Sequence, residues 1–350
     1  VVGSLVAVQS QDYGSAKWAV ARRTESLTDA DVEGAIVSGT ILRTHVLRPT
    51  WHFVLREDAR WMLELTAPRI RASMSYHDRA LELDRDVFRR SNTALERALR
   101  DSTQLTRAEL ALVFRRARVA APTGQHVGHL LMRAELDRVI ISGARRGKQL
   151  TYALFDDRVP ASPRRDRDLS LQDLSQRYFA TRGPATLQDF AWWSGLTVAD
   201  ARRAVEINGR ALARETIAGR EHWSASDARD VVRVPRVAHL LPNYDELFVG
   251  FRDRLAFAER LRKHSPTARV DALLGHMVFI DGQIVGGWRR TLGSTVDIEV
   301  RVPSALSAVE QKLVAREIRR FGDFLGVPAR VRYRRGAVAL TAEAPQDSRR

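Results

Sequence analysis

The chain has 350 residues, of which 44% are hydrophobic and 28% charged, and its formal net charge is +15. This is the composition of a globular protein long enough for several modules, and it excludes a disordered or collagen-like chain. The absence of cysteine excludes a disulfide scaffold, thiol catalysis, Fe–S clusters and thiolate zinc sites. No apolar stretch is long enough to span a membrane, and the first residues lack the pattern of a signal peptide. We therefore expect a soluble cytoplasmic protein.

The charge balance points to a class of partner. Lys and Arg together number 57, against 42 for Asp and Glu. A surplus of this size on a folded surface attracts polyanions, and nucleic acid is the commonest of them. Composition alone leaves two interpretations equally open, a nucleic-acid-binding protein and a basic protein without such a partner.

The N-terminal part begins with two short helices and then becomes extended. A helical pattern covers residues 14–23, and Thr28 precedes a second helix that runs to Val37. Residues 40–55 are rich in β-branched and aromatic residues, which favours strands. A long helical spacer is predicted over 57–100, where apolar residues recur at helical spacing.

The same order of elements recurs in the next segment. Thr106 and Glu109 form a capping box in front of an amphipathic helix. A second helix is predicted over 124–141. The sequence SGARRGKQLTYALFDD follows it and predicts a hairpin with a basic tip.

A third copy follows a Pro-containing linker near residues 160–163. Helical patterns cover 171–182 and the segments that begin at Thr186 and Thr197. Two strands are then predicted around Ala218-Gly219. Helix, turn, helix and hairpin is the winged-helix order, and three copies in series favour three winged-helix units over a generic α+β protein with a coincidental repeat.

The C-terminal part is predicted to be rich in strands. Asp281-Gly282 lies between two apolar runs and is the strongest hairpin signal in the chain. An amphipathic helix is predicted over 305–325, with strands at ARVRYRR and VALTA. The predicted fold class is α+β, with three tandem winged-helix units and a β-rich C-terminal module. The predicted divisions are a first unit with its helical spacer over 1–100, a second unit over 101–163, a third unit over 164–236, the β-rich module over 237–342 and a frayed tail over 343–350.

Standard catalytic motifs are absent from the sequence, and one short motif is unusual. There is no HExxH, P-loop, GxGxxG or GxSxG, and the pair His126 and His129 has no acidic third ligand nearby, so we expect no metal and no cofactor. Gln9-Ser10-Gln11 stands between an apolar run and a helix. If this is the end of a helix, side chains at i and i+2 face the same side, and two amides there would fix one water or one sugar. Capping of the helix end is the alternative, and spacing alone favours it.

Several longer segments resemble the AlkZ/YcaQ-like winged-helix DNA glycosylases. They occur in order along nearly the whole chain and include VAVQSQDYGSAKWAVARR, LRTHVLRPTWHFVLREDARWML, GHLLMRAELDRVIISGARRGKQLTYALFDDRVP, GPATLQDFAWWSGL, LLPNYDELFVGFRDR and GQIVGGWRRTL. The resemblance implies three tandem winged helices around a DNA-binding cleft and the excision of alkylated purines, including crosslinks through purine N7. It also implies DNA repair or self-resistance to DNA-alkylating antibiotics. Family members have a further helix before the first matched segment, so we expect the first unit, over 1–100, to be truncated at its N-terminus. Gln9 and Gln11 match the AlkZ-like branch, whereas Ser10 replaces an apolar middle residue and leaves the substrate range open.

The resemblance also implies roles for other residues. Thr50 and His52 match a family Thr-x-His and would lie at the wall of the active site or in the core. Asp245 and Glu246 would stabilise a sugar cation, orient water, or bind Arg252 and Arg254. Contacts to DNA are expected at the tip of the second wing, after the Asp281-Gly282 hairpin and near the motif. The residues expected to bind DNA are Lys17, Arg145, Arg146, Lys148, Arg252, Arg254, Trp288, Arg289 and Arg290.

The chemistry of the residues fits this activity. N7 alkylation gives a purine a positive charge, so the base leaves as a neutral molecule and a strong general base contributes little. A Gln amide takes up no proton at pH 7, but its carbonyl can orient water beside a developing sugar cation. Strand cleavage requires an amine, and Lys17 is the sole lysine near the motif, so we expect a monofunctional hydrolase that acts as a monomer on alkylated double-stranded DNA. The alternatives are a winged-helix transcriptional regulator and an inactive relative that shields damaged DNA.

Overall fold

The computed structural model of the chain divides into two compact units. It describes residues 1–227, 235–266, 275–336 and 338. Unit 1 combines residues 8–32 with the chain from residue 227 onwards, together with Val1, and unit 2 comprises residues 2–7 and 33–226. The N-terminal motif therefore belongs to the same unit as the C-terminal module. The predicted second and third winged-helix units both belong to unit 2.

The elements alternate between helices and short strands, as expected for the α+β class. The helices are α1 (Val2–Leu5), α2 (Tyr13–Ala21), α3 (Asp29–Val37), α4 (Arg56–Ala80), α5 (Arg85–Ala98), α6 (Arg107–Arg116), α7 (Gly124–Leu136), α8 (Phe155–Arg158), α9 (Arg167–Arg182), α10 (Leu187–Ser194), α11 (Val198–Asn208), α12 (Glu246–Val249), α13 (Glu259–His264) and α14 (Ala308–Leu325). The strands are β1 (Ala7–Gln9), β2 (Ile41–His45), β3 (Trp51–Leu55), β4 (Leu105–Thr106), β5 (Ile140–Ser142), β6 (Thr151–Leu154), β7 (Leu212–Ile217), β8 (Arg220–Ala225), β9 (Ala238–Leu241), β10 (Met277–Ile280), β11 (Gln283–Leu292), β12 (Val296–Val302) and β13 (Ala329–Arg335).

Unit 1 is built on a five-stranded sheet in the order β13-β12-β11-β10-β9. Neighbouring strands are antiparallel except for β12 and β13, which are parallel and joined by α14. β12 alternates buried and partly exposed residues, so one of its faces packs against the core. The predicted Asp281-Gly282 turn joins β10 to β11, and both residues have positive φ, as a type I′ hairpin requires.

Helix α2 packs into unit 1 through an aromatic cluster. The ring of Trp18 lies 5.0 Å from that of Phe321 and 5.3 Å from that of Phe324, both on α14. Its indole N–H donates to the carbonyl of Leu240 on β9. Arg320 donates to backbone carbonyls at the C-terminal end of α2, which otherwise lack partners within the helix. Helix α2, which follows the glutamine motif, is therefore fixed to the sheet and to α14.

The second winged-helix segment of unit 2 has the expected order of elements. α5, α6 and α7 surround an apolar core that includes Leu95, Leu110, Phe114 and Leu130. The strands form a small sheet in the order β4-β6-β5. The capping box of Thr106 and Glu109 is confirmed.

Two boundaries in this segment differ from the sequence prediction. The helix expected over 124–141 ends at Leu136, because Arg138 adopts a left-handed conformation and β5 begins at Ile140. The last part of the predicted hairpin, residues 155–157, belongs to the short helix Phe155–Arg158. The spacer over 57–100 is two helices, separated where Glu82 has positive φ.

The third segment packs three helices against a two-stranded hairpin. The rings of Tyr178, Phe179, Phe190 and Trp193 lie together between α9 and α10. β7 and β8 pair in register around the predicted Ala218-Gly219 turn. These element orders are consistent with winged helices, and the division into modules at residues 100, 163 and 236 stays a prediction. The expected strand VALTA and the tail over 343–350 lie outside the described residues, except for Val338.

Candidate active site

The glutamine motif lies at the end of a strand. Gln9 is the last residue of β1, and Ser10 and Gln11 follow it outside the strand. The expectation of a helix end is therefore wrong in its element, and the shared side of the two glutamine side chains stays a prediction. Gln9 and Ser10 are buried, whereas Gln11 is exposed.

The capping of the next helix is performed by Asp12. Its carboxylate accepts the backbone N–H of Ser15 at 3.0 Å and the hydroxyl of Ser15 at 2.8 Å. Asp12 has the extended backbone typical of an N-cap residue. Arg290 approaches the same hydroxyl at 3.4 Å. The cap of α2 therefore does not require the side chain of either glutamine.

Glu246 binds the backbone of the motif. Its carboxylate Oε1 accepts the backbone N–H of Gln9 at 2.8 Å, and Glu246 itself is 1% exposed. A hydrogen bond to a buried carboxylate is stronger than one between neutral groups. The contact holds the backbone of Gln9 at the end of β1, and so it holds the Cα from which the Gln9 side chain extends.

Asp245 forms a buried ion pair with Arg23. The guanidinium donates to both carboxylate oxygens, at 2.6 and 3.0 Å, and Asp245 is fully buried. Burial alone would raise the pKa of Asp245, but the attraction and hydrogen bonds of Arg23 outweigh it and lower the pKa to about 2. Asp245 also accepts the N–H of Leu247 and so caps α12. The partner of Asp245 is thus Arg23, and the alternative that this acidic segment binds Arg252 and Arg254 stays a prediction.

A neutral histidine belongs to the same neighbourhood. His276 accepts the backbone N–H of Asn243 on Nδ1 at 3.0 Å, and its ring lies 4.6 Å from that of Trp288. Burial, together with the charge of Arg290, lowers the pKa of His276 to about 4, while Asp12 acts in the opposite direction. Burial and the same Asp12 carboxylate raise the pKa of Tyr244. Asp12 therefore lies close to both side chains.

Thr50 and His52 belong to unit 2. His52 is fully buried, and its Nδ1 lies 2.9 Å from the carbonyl of Thr50. Burial, with the charge of Arg48, lowers the pKa of His52 well below its ordinary value, so the ring is neutral and Nδ1–H donates. Within the described part of the chain, His52 Nε2 and Thr50 Oγ1 have no hydrogen-bond partner. A role for them beside the glutamines stays a prediction.

Three residues expected to bind DNA are buried, and these expectations are corrected. Lys17 is 2% exposed and forms a 2.8 Å ion pair with Asp29. Trp288 is 2% exposed and donates to the carbonyl of Leu241. Arg254 donates to the carbonyl of Phe248 and lies over its ring. Each of these side chains binds a group of the protein itself. The local sequence did not predict this, because the partners lie on other elements or on the far side of a turn.

The other expected DNA contacts lie at or near the surface. Arg252 and Arg289 are exposed and Arg290 is partly buried. At the tip of the second wing, Arg145 pairs with Glu33 at 3.3 Å and Arg146 with Glu109 at 2.7 Å. Lys148 is exposed and has no ion-pair partner among the residues that the structure describes. The three wing cations are therefore not equivalent.

The described residues provide neither a metal-ion cluster nor a membrane-spanning helix. They contain no group of three or more His, Asp or Glu side chains arranged to hold a metal ion. His129 instead pairs with Asp78, and His126 contacts the cap residue Thr123. None of the described helices combines the length and apolarity needed to cross a membrane.

Comparison with known proteins decides the family. A family model described as DNA glycosylase AlkZ-like matches residues 2–324. The chain belongs to the AlkZ-like DNA glycosylase family. It is 23% identical over 314 residues to an interstrand DNA cross-link repair glycosylase of Streptomyces sahachiroi, which covers 82% of this chain and 81% of the relative. The structure of the DNA glycosylase AlkZ from the same organism is similar, with a TM-score of 0.76 and 22% identity over 95% of this chain and 92% of that one.

Membership of the AlkZ-like family confirms two predictions made from sequence. The chain is a DNA glycosylase, so DNA is its substrate, and its fold is the mixed α+β fold of AlkZ. The roles of individual residues stay predictions.

One structural residue was not predicted from the sequence. Arg23 binds Asp245 across 222 positions of sequence, and no local pattern signals such a pair.

Proposed function

We propose that this AlkZ-like protein is a monofunctional DNA glycosylase that removes N7-alkylated purines from double-stranded DNA, with Gln9 and Gln11 as its catalytic residues. The placement of Gln9 carries the proposal. Its backbone N–H is fixed by the Glu246 carboxylate at 2.8 Å, and Asp12 takes over the capping of α2. A backbone position held by a buried carboxylate, just before a helix that is capped by Asp12, suits the positioning of a water molecule by the two amides.

The weakness of an amide as a base suits this substrate. A purine alkylated on N7 already carries a positive charge, so the glycosidic bond breaks with a neutral leaving group and the sugar becomes oxocarbenium-like. The carbonyl oxygens of Gln9 and Gln11 supply partial negative charge and orient the attacking water. Unmodified purines are poor leaving groups, and the pair provides no proton to improve them. Selectivity for damaged bases then follows from the chemistry as well as from recognition.

Water, rather than an amine of the protein, is the proposed nucleophile. The lysines of the chain are Lys17, Lys148, Lys263 and Lys312, and only Lys17 is near the motif in sequence. Its ammonium group is buried against Asp29 at 2.8 Å and lies over the Tyr13 ring. An ammonium held in this way is a poor nucleophile, because attack requires the neutral amine.

Interstrand crosslinks are included in the proposed substrate range. A crosslink through two purine N7 atoms carries the same positive charge at each attachment, so release of one base opens the link by the same chemistry. The relative from Streptomyces sahachiroi is described as an interstrand cross-link repair glycosylase. Ser10 replaces an apolar residue in the motif. We therefore expect the preference among bulky adducts to differ from that of relatives with the apolar residue, and direct excision assays measure it.

The product identifies the reaction. Incubation with duplex DNA that carries a single N7-methylguanine should release the base and leave an intact abasic site, which breaks only after alkali or heat. Borohydride should trap no covalent complex with the wild-type protein. A trapped adduct that disappears in Lys17→Ala would replace the proposal by a strand-cleaving mechanism. Strands that stay resistant to alkali at every enzyme concentration would contradict activity on this lesion.

A further inference from the structure

Unit 2 contains a cavity that the proposed chemistry does not use. Its volume is about 690 Å³, and it is lined by residues of the β2–β3 hairpin, of α6 and α7, and of the segment between β5 and β6. Cavities of this size accept ligands of drug or nucleotide size. The residues that line it lie between 43 and 152, so the whole cavity belongs to unit 2.

The cavity is cationic. Four of its lining residues are Arg43, Arg107, Arg115 and Lys148, and no Asp or Glu is among the described residues that line it. Arg107 donates to the carbonyl of Gly124, which places its guanidinium beside the N-terminal turn of α7. The positive end of the dipole of this 13-residue helix adds to the same potential. An anion that enters the cavity meets cations and no carboxylate of the lining.

One wall of the cavity carries a stacked arginine–tryptophan pair, and the His45 ring lies 4.4 Å from that of the tryptophan, Trp51. The Arg43 guanidinium lies over the Trp51 ring, 4.3 Å from its centroid, and both residues are partly exposed. They project from neighbouring strands that are paired in register. Apolar side chains, among them Ala111, Val127 and Leu150, complete the lining. Nucleobases stack on aromatic rings and on arginine planes of this kind.

We propose that this cavity binds one unpaired nucleotide of DNA. The base stacks on the Arg43–Trp51 wall, and its phosphates contact Arg107, Arg115 and Lys148. A stacked arginine–tryptophan pair, in a lining that has four cations and no Asp or Glu among the described residues, fits an aromatic anion better than a neutral ligand. The proposal depends on DNA being the substrate but not on the roles of Gln9 and Gln11, because the site is one of binding and lies in unit 2.

Photocrosslinking tests the location directly. A duplex with a single unpaired 5-iododeoxyuridine, irradiated in complex with the full chain, should form an adduct on the peptide that contains Trp51. A perfect duplex that carries the same base in a pair should form that adduct at least about tenfold less, because the paired base is not free to stack. Adducts found only on other peptides would overturn the proposal.

Binding measurements test the cations against a matched control. We expect the wild-type chain to bind the duplex with one unpaired nucleotide about tenfold more tightly than the perfect duplex. The pair of changes Arg115→Gln and Lys148→Gln should abolish this ratio. Arg97→Gln with Arg116→Gln removes the same charge from exposed positions that do not line the cavity, and it should leave the ratio unchanged. Equal ratios in the two double variants, or no preference in the wild type, would overturn the proposal.

Stacking is tested by Trp51→Leu and Trp51→Phe. The leucine variant should lose the preference and the phenylalanine variant should keep most of it, because an aromatic face remains. If Trp51→Leu does not fold, the two cation variants, both at exposed positions, still decide the question. Gln9→Ala should retain the ratio, so loss of excision in that variant and loss of the ratio in the cavity variants are separate results.

Discussion

The two units use their charges in different ways. In unit 1, buried carboxylates such as Asp245 and Glu246 are bound to Arg23 and to the backbone of Gln9. In unit 2, the cations around the cavity, such as Arg115 and Lys148, are exposed and have no carboxylate beside them in the lining. The net charge of +15 is therefore not distributed evenly over the protein surface. Part of the positive charge is bound to a buried carboxylate of unit 1, and part of it lines the cavity of unit 2.

The largest expected effect is on the buried pair of unit 1. Asp245→Asn should reduce the free energy of unfolding by about 3 to 5 kcal/mol, because Arg23 loses its buried counter-charge. Urea denaturation measures this change. The control is Glu221→Gln, which breaks the exposed pair with Arg214 and should cost at most about 1 kcal/mol. A small effect in both variants would show that the buried network does not stabilise unit 1.

Acid should destabilise the same unit through two histidines. Burial lowers the pKa of both His239 and His276 to about 4, from 6.5. The unfolded chain therefore takes up protons that the folded chain refuses as pH falls from about 6.5 to about 4, and stability decreases over that window. For the two histidines together, we expect the free energy of unfolding to fall by about 3 kcal/mol. This is less than the sum of the two full pKa shifts for two reasons. His239 is only partly buried, and Glu317, whose pKa is raised by burial, contributes stability as the pH falls.

Urea midpoints at pH 7 and pH 4.5 measure this dependence. His276→Gln retains an acceptor for the Asn243 N–H and should flatten the dependence. The matched control is His222→Gln at a partly exposed position of unit 2, which should leave the slope as it is. A wild-type chain equally stable at both pH values would contradict the buried, neutral state of the two histidines.

A smaller effect is expected where unit 1 holds the motif. Glu246→Ala removes the acceptor of the Gln9 N–H and should slow single-turnover excision by about tenfold, the loss expected for a hydrogen bond to a charged group. DNA affinity should be nearly unchanged. Glu246→Gln keeps a carbonyl oxygen and should recover most of the rate. If excision by Glu246→Gln is as slow as by Glu246→Ala, then the rate depends on the negative charge of Glu246 and not on its hydrogen bond.

The smallest effect concerns the wing of unit 2. Log K for duplex DNA should fall with log[salt], with a slope of about −0.9 for each phosphate neutralised. Lys148→Gln should make the slope shallower by nearly one such increment. Arg146→Gln should change it less, because Arg146 is already paired with Glu109. Equal changes in both variants would mean that the pair opens when DNA binds.

Local signals in the sequence predicted much of the fold. The capping boxes at Thr106 and Thr186 start helices, and Ala218-Gly219 and Asp281-Gly282 form hairpin turns, because these features depend on residues within a few positions of one another. The end of α7 was missed for the complementary reason. Arg138 has no residue-type signal for the left-handed conformation that it adopts.

Burial of charged residues was the part that sequence did not predict. Lys17 and Arg254 were expected at the DNA surface, but they bind Asp29 and the carbonyl of Phe248 in the interior. A cation that binds phosphate and a cation that stabilises the core have the same side chain. Only the three-dimensional packing separates them. The catalytic role of the glutamine motif, which rests on its residue types and on its match to the family, stays a prediction.

The most direct test compares excision and stability for Gln9→Ala, Gln11→Ala and the double variant. If the glutamines position water, each single change should slow single-turnover release of N7-methylguanine by roughly 10² to 10³ at nearly unchanged DNA affinity and melting temperature. The double variant should fall well short of the product of the two, because the pair acts as a unit. Wild-type excision per folded molecule, accompanied by a lower melting temperature, would contradict the account and assign the glutamines to structure.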